Sequence, residues 1–126
     1  MKTLTQFSIT VLLFAVAGVP LSRADGAVTV EGMLVSASCY LADGSTGADH
    51  HGMKGCGIGC LKQGKPGGLL TKDNKFHMLD APAPLLAPYV GQQLRVTGVA
   101  YGEVISVKKA EVNKDGKWEE IKIHGE

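Results

Sequence analysis

The sequence predicts an all-β domain, and three observations carry that prediction. Apolar and polar residues alternate through most of the second half, Gly/Asn/Asp turn signals separate the alternating runs, and prolines confine any helix there to a short piece. Once the hydrophobic N-terminus is set aside, roughly a hundred residues remain, enough for one core and not for two.

Residues 1–24 read as a secretory signal peptide. Lys2 gives a short positive start, Ile9 to Val19 is an almost unbroken apolar run, and Ser22-Arg23-Ala24 offers small residues at the recognition positions, which predicts cleavage before Asp25. The run is too short for a comfortable membrane span and no second one follows. A lipoprotein would carry a cysteine directly after the cleavage site, whereas the first here is Cys39. The expectation is a periplasmic or secreted protein without a membrane anchor, folded as a single domain over residues 25–126.

Val28, Val30, Met33 and Val35 predict a first strand of about eight residues between Gly26 and Ser36-Ala37-Ser38, with Gly32 marking a bend or bulge. Residues 38–68 then form a Gly/Cys-rich insertion. Its glycines, among them Gly44, Gly47, Gly52, Gly55, Gly57, Gly59 and Gly64, argue against a helix driven by propensity. A long excursion inside a compact domain is usually functional or disordered, and the cysteines and histidines concentrated here favour function. Beyond it, Gly68–Thr71, Phe76–Asp80, Leu94–Tyr101, Val104–Val112 and Trp118–His124 read as strands. Lys72-Asp73-Asn74, Tyr101-Gly102-Glu103 and Asn113-Lys114-Asp115-Gly116 supply the turns. Pro82, Pro84 and Pro88 limit the intervening helix to a piece around Leu85–Tyr89 that plugs one end of the sheet. Leu94, Val96, Val99, Val104, Ile105, Val107 and Val112 are sufficient to build a core without the insertion.

Strands of this number with a short helical plug before VGQQLRVTGVAY resemble the OB-fold, a small Greek-key barrel. The resemblance extends through Cys39-Tyr40, Cys56 with Cys60, and Gly64-Lys65-Pro66-Gly67-Gly68-Leu69. That pattern (C-Y, C-x3-C, G-x-P-x-G-L) is similar to a group of small exported bacterial proteins of OB-like fold, a group to which no activity is assigned. Where that group often has a histidine three residues before the second cysteine, this chain has Met53.

Charge and aromatic content exclude some partners. Without Lys2 and Arg23 the 13 basic residues fall to 11, against 12 acidic ones, so the domain lacks the basic excess of a nucleic-acid binder. Tyr40, Phe76, Tyr89, Tyr101 and Trp118 are too scattered for a base-stacking platform. No nucleic-acid partner is expected.

The chain has 3 cysteines, Cys39, Cys56 and Cys60, with His50 and His51 between the first two. An odd number of thiols in an exported protein cannot be fully paired within one chain, so a sulfur stays reduced, bonds another molecule or holds a metal. Cys56 and Cys60 would share one face of a single helical turn, pointing in similar directions, which suits a common metal better than a disulfide between them. Cys39, at the end of the first strand, meets them if the insertion folds back. Three thiolates with His50 or His51 make a Cys3His set for a zinc ion. Copper(I) is the rival, since soft sulfur selects it and Met53 adds a thioether. Lys54 and Lys62 flank the pair and would lower the thiol pKa values.

Three other readings stay open. One is a structural disulfide from Cys39 to Cys56 or Cys60, stapling the insertion, with one thiol to spare. Another is a thiol-redox protein cycling Cys56 and Cys60 while Cys39 resolves or rests, although C-x3-C departs from the redox C-x-x-C. A third is a non-catalytic interaction module with purely structural cysteines. His77 and Met78 point to opposite faces of a strand, so at most one of them joins a site, and His124 reads as solvated. Haem attachment, nucleophile-elbow, H-E-x-x-H and phosphate-loop motifs are absent from the sequence, so no enzyme class is indicated.

Overall fold

The computed structural model describes residues 26–49 and 55–124. The predicted signal peptide lies outside the described residues. So do His50, His51, Met53 and Lys54.

The described chain is mainly β. It runs β1 (Ala27–Ser36), α1 (Ala37–Asp43), α2 (Cys56–Lys62), β2 (Gly67–Leu70), β3 (Phe76–Asp80), α3 (Ala83–Leu86), a 3-10 turn (Ala87–Tyr89), β4 (Gln93–Tyr101), β5 (Val104–Lys114) and β6 (Lys117–Ile121). Its 6 strands form one sheet in the order β3-β2-β1-β4-β5-β6. A parallel pairing of β3 with β5, Leu79 opposite Ile105, closes β1, β2, β3, β5 and β4 into a ring. All other neighbours are antiparallel.

Alternation explains why these segments are strands. In β4, Leu94, Val96 and Ala100 are buried while Gln93 and Tyr101 are exposed, the period of two that puts every second side chain in the core. Leu34, Leu69, Leu79, Ile105, Val107, Ala110 and Val112 extend this core from the other ring strands, and Ile121 of β6 joins the same cluster. Ala83, Leu86 and Ala87 are buried in the same core, from a helix that starts at Ala83 rather than near Leu85 as expected, with Pro84 accommodated in its first turn.

Two features differ from the sequence reading. Gly32 is no bulge, because the β1–β4 register runs unbroken from Ala27 opposite Val99 to Met33 opposite Gln93. Gly32 is required by close approach instead: a Cβ there would overlap the carbonyl of Leu70. The irregularity lies between Thr97 and Gly98, where the β4–β5 register slips and Gly98 packs against the backbone of Ser106 and Val107. The core also departs from expectation. Val104, at the mouth of a turn, is 38 % exposed, and the insertion adds a residue to the core, since Leu61 from α2 is fully buried among the ring's apolar residues.

Candidate metal centre

The insertion folds as two short helices, and each has a tertiary reason. Cys39 stands on α1, one turn past the first strand, rather than on the strand's end as expected. Ala37 is buried and its N–H donates to the Pro66 carbonyl at 3.1 Å, which turns the chain out of β1. Gly44 at φ 79° ends the helix by donating to the Tyr40 carbonyl, a left-handed cap that glycine adopts without strain. The Tyr40 ring stacks on Phe76 of β3, centroids 5.1 Å apart, and fixes the rotation of α1.

A helix through Cys56-Gly57-Ile58-Gly59-Cys60-Leu61-Lys62 defies its two glycines. Packing holds it. Leu61 enters the core and Ile58 packs against it. Gly57 donates to the Ala48 carbonyl at 2.9 Å, and a Cβ on it would come within 3.0 Å of the Gly47 carbonyl and 3.1 Å of Val90. Glycine is therefore what lets α2 lie flat against the returning chain. Asp49 accepts a hydrogen bond from the Gly55 N–H at 2.6 Å, joining the two chain ends on either side of residues 50–54.

These contacts bring all three cysteines together. Their sulfurs lie within 4.8 Å of one another, and Cys39 Sγ is 3.8 Å from Cys60 Sγ. No disulfide joins them. Cys39 is 8 % exposed, whereas Cys56 and Cys60 are half-buried, so the cluster has one inner and two outer sulfurs. It is the group among the described residues with metal-ligand geometry.

The electrostatics differ between the two outer sulfurs. Burial pushes the Cys60 thiol up, but hydrogen bonds with Ser38, Cys39 and Ser36 and the charge of Lys65 outweigh it and hold the group below its ordinary value. Cys56 is raised, first by burial and then by the like charge of Cys60 and Cys39. Ser36, 2 % exposed, places its hydroxyl 3.1 Å from that of Ser38. In the sequence Ser36 and Ser38 mark only the end of a strand, and no local pattern distinguishes a role beside Cys60. From sequence, Lys54 and Lys62 are the lysines expected to favour the thiolate, and Lys54 lies outside the described residues. Lys65 acts on Cys60 instead, because the chain reverses after α2 and the Lys65 N–H donates to the Cys60 carbonyl at 3.1 Å.

His77 pairs across the sheet with Leu69 and its Nδ1 is buried without a hydrogen bond, while exposed His124 has its Nε2 3.0 Å from the Lys108 carbonyl. Neither belongs to the sulfur group. No protein family, no curated protein and no solved structure matches this chain.

The arrangement suits a thiophilic cation. Thiolates about 2.3 Å from a tetrahedral zinc stand about 3.8 Å apart, the edge of the coordination polyhedron. The Cys39–Cys60 pair already has that separation at 3.8 Å. The widest pair needs to close by at most about 1 Å.

Proposed function

We propose that this is an exported, soluble metal-binding protein in which an OB-like barrel presents a cysteine cluster, completed by His50 or His51, to zinc or copper(I). The observation that carries the reading is the convergence of Cys39, Cys56 and Cys60 within 4.8 Å from two separate helices. Sequence proximity explains the Cys56–Cys60 pair, but not the presence of Cys39. The OB-like reading rests on the five-strand ring closed by β3 and β5, with the short helix between β3 and β4.

Sulfur donors alone suit both metals, and an imidazole from His50 or His51 would favour zinc where a thioether from Met53 would favour copper. Bound as thiolates, the cysteines give up protons, so uptake is accompanied by proton release and weakens at low pH. The test is titration of the reduced protein with Zn²⁺ and with Cu⁺ under anaerobic conditions. One equivalent is bound, Cys56→Ser and Cys60→Ser weaken binding strongly, and Cys39→Ser does the same because it stands in the group. His50→Ala and His51→Ala identify the imidazole. Met53→Leu lowers copper affinity more than zinc affinity. Wild-type protein that binds neither metal better than the triple serine variant refutes the reading. Export is tested by intact mass, which is expected to start at Asp25.

A further inference from the structure

The three sulfurs are not equivalent, and the difference bears on how a bound metal is let go. Cys56 and Cys60 share α2, where one helical turn keeps their Cβ atoms from approaching as a disulfide requires. Cys39 comes from α1 and faces Cys60 across the gap between the helices at 3.8 Å. An S–S bond of roughly 2.05 Å requires these two sulfurs to close by about 1.8 Å, with no shared helical turn holding them apart. Access is also asymmetric: Cys60 is half-buried and reachable from solvent, and Cys39 is 8 % exposed and screened.

We propose that the centre is gated by oxidation: a small-molecule disulfide converts Cys39 and Cys60 to an intramolecular disulfide, Cys56 stays a thiol, and the metal leaves. This rests on the metal-binding reading and adds its regulation. The Cys60 thiolate attacks one sulfur of the external disulfide, forming a mixed disulfide and expelling one thiolate. Cys39 then attacks the Cys60 sulfur, the Cys39–Cys60 bond forms, and the second external thiolate departs. Two protein thiolates lose two electrons in all, and the external disulfide gains them. A cation that loses two of its three sulfur ligands is held only weakly, so release accompanies oxidation. The new bond spans 21 residues and ties α1 to α2.

The experiment loads the reduced protein with one equivalent of Zn²⁺, adds oxidised glutathione, and follows zinc with a chromogenic chelator while peptide mapping identifies the linkage. Expected is one zinc released per Cys39–Cys60 disulfide, with Cys56 still alkylatable. Cys56→Ser protein, free of metal, is expected to form the same bond at a rate within about threefold of metal-free wild type, and Cys39→Ser to stop at a glutathione adduct on Cys60. Cys56–Cys60 or Cys39–Cys56 as the main linkage overturns the proposal, and so does zinc retained after the bond has formed. Zinc that binds normally while no intramolecular disulfide appears also overturns it and leaves the metal reading standing. Failure to bind zinc at the outset, with Cys39–Cys60 still forming in the same protein, ends the metal reading and the gating together.

Discussion

The strand ring and the cysteine-bearing helices reach order by different routes. The ring is overdetermined: each strand alternates, each is paired on at least one edge, and Leu34, Leu69, Leu94, Val96 and Ile105 are fully buried between them. The helices hang on a few tertiary anchors, namely Leu61 in the core, Gly57 against Ala48, Ala37 against Pro66 and Tyr40 on Phe76. A local pattern repeated many times tolerates error in any one element. An assembly held by single contacts does not, and the site stands on the second kind.

The strongest test of that contrast compares two buried leucines. Leu94→Ala in the ring and Leu61→Ala in α2 should each cost about 2–5 kcal/mol in denaturant unfolding, since both are fully buried. Only Leu61→Ala should also weaken metal binding in the protein that remains folded. Equal loss of metal binding in both variants would erase the distinction between ring and helices.

Gly57→Ala comes next. The added methyl crowds the Gly47 carbonyl and Val90, where overpacking typically costs about 1–3 kcal/mol. It should shift α2 and reduce metal affinity while β-type circular dichroism is unchanged. Unaltered affinity would show that the close approach at Gly57 does not position the sulfurs.

Tyr40→Leu removes the aromatic pair but keeps an apolar side chain, for an expected loss of about 0.5–1.5 kcal/mol. Its effect on binding should exceed that of the same change at Tyr101, a 57 % exposed ring at the end of β4. Replacing all three cysteines by serine should matter less still for the metal-free fold, because the core closes through Leu61 rather than through sulfur. An unfolded triple variant would make the thiols structural.

The smallest effect concerns the outer face of the ring. Arg95 donates to Glu111 at 2.9 Å and lies 4.4 Å from the Trp118 ring centroid. That hydrogen bond with Arg95, followed by its charge and by Lys109, holds the Glu111 carboxyl below the usual range despite partial burial. A depressed folded pKa means that the stabilisation is present above the unfolded carboxylate value, about 4.3, and fades as the pH falls through the lower folded value. Glu111→Gln should flatten that acid limb by lowering stability slightly at neutral pH, where the carboxylate is charged, and leave stability at the acid end nearly unchanged. The fluorescence of Trp118, the single tryptophan, follows the transition. An acid limb identical in wild type and variant would assign the pH dependence to other carboxylates.

The sequence by itself placed every strand of the second half: Phe76–Asp80 matches β3, β4 and β5 begin within one residue of where alternation put them, and the ends are less exact, β5 running on to Lys114 and β6 stopping at Ile121 rather than His124. It also indicated a short plug around Leu85–Tyr89, which the structure starts two residues earlier, at Ala83, because Pro84 is tolerated in the first turn of a helix. Candidate ligands were equally legible, since sulfur chemistry belongs to the residue type. What it left to the tertiary structure was the helix at Cys56–Lys62, the move of Cys39 from strand to helix, and the identity of Ser36, Ser38 and Lys65 as neighbours of Cys60. Two glycines argue against a helix until Leu61 finds a core to enter, and the turn of the chain into α1 after Ser36 is held by the Pro66 carbonyl, which takes the Ala37 N–H. Residue type and local period act along the chain and can be read from it, whereas the meeting of three sulfurs depends on contacts between segments some 20 residues apart and so exists only in the folded chain.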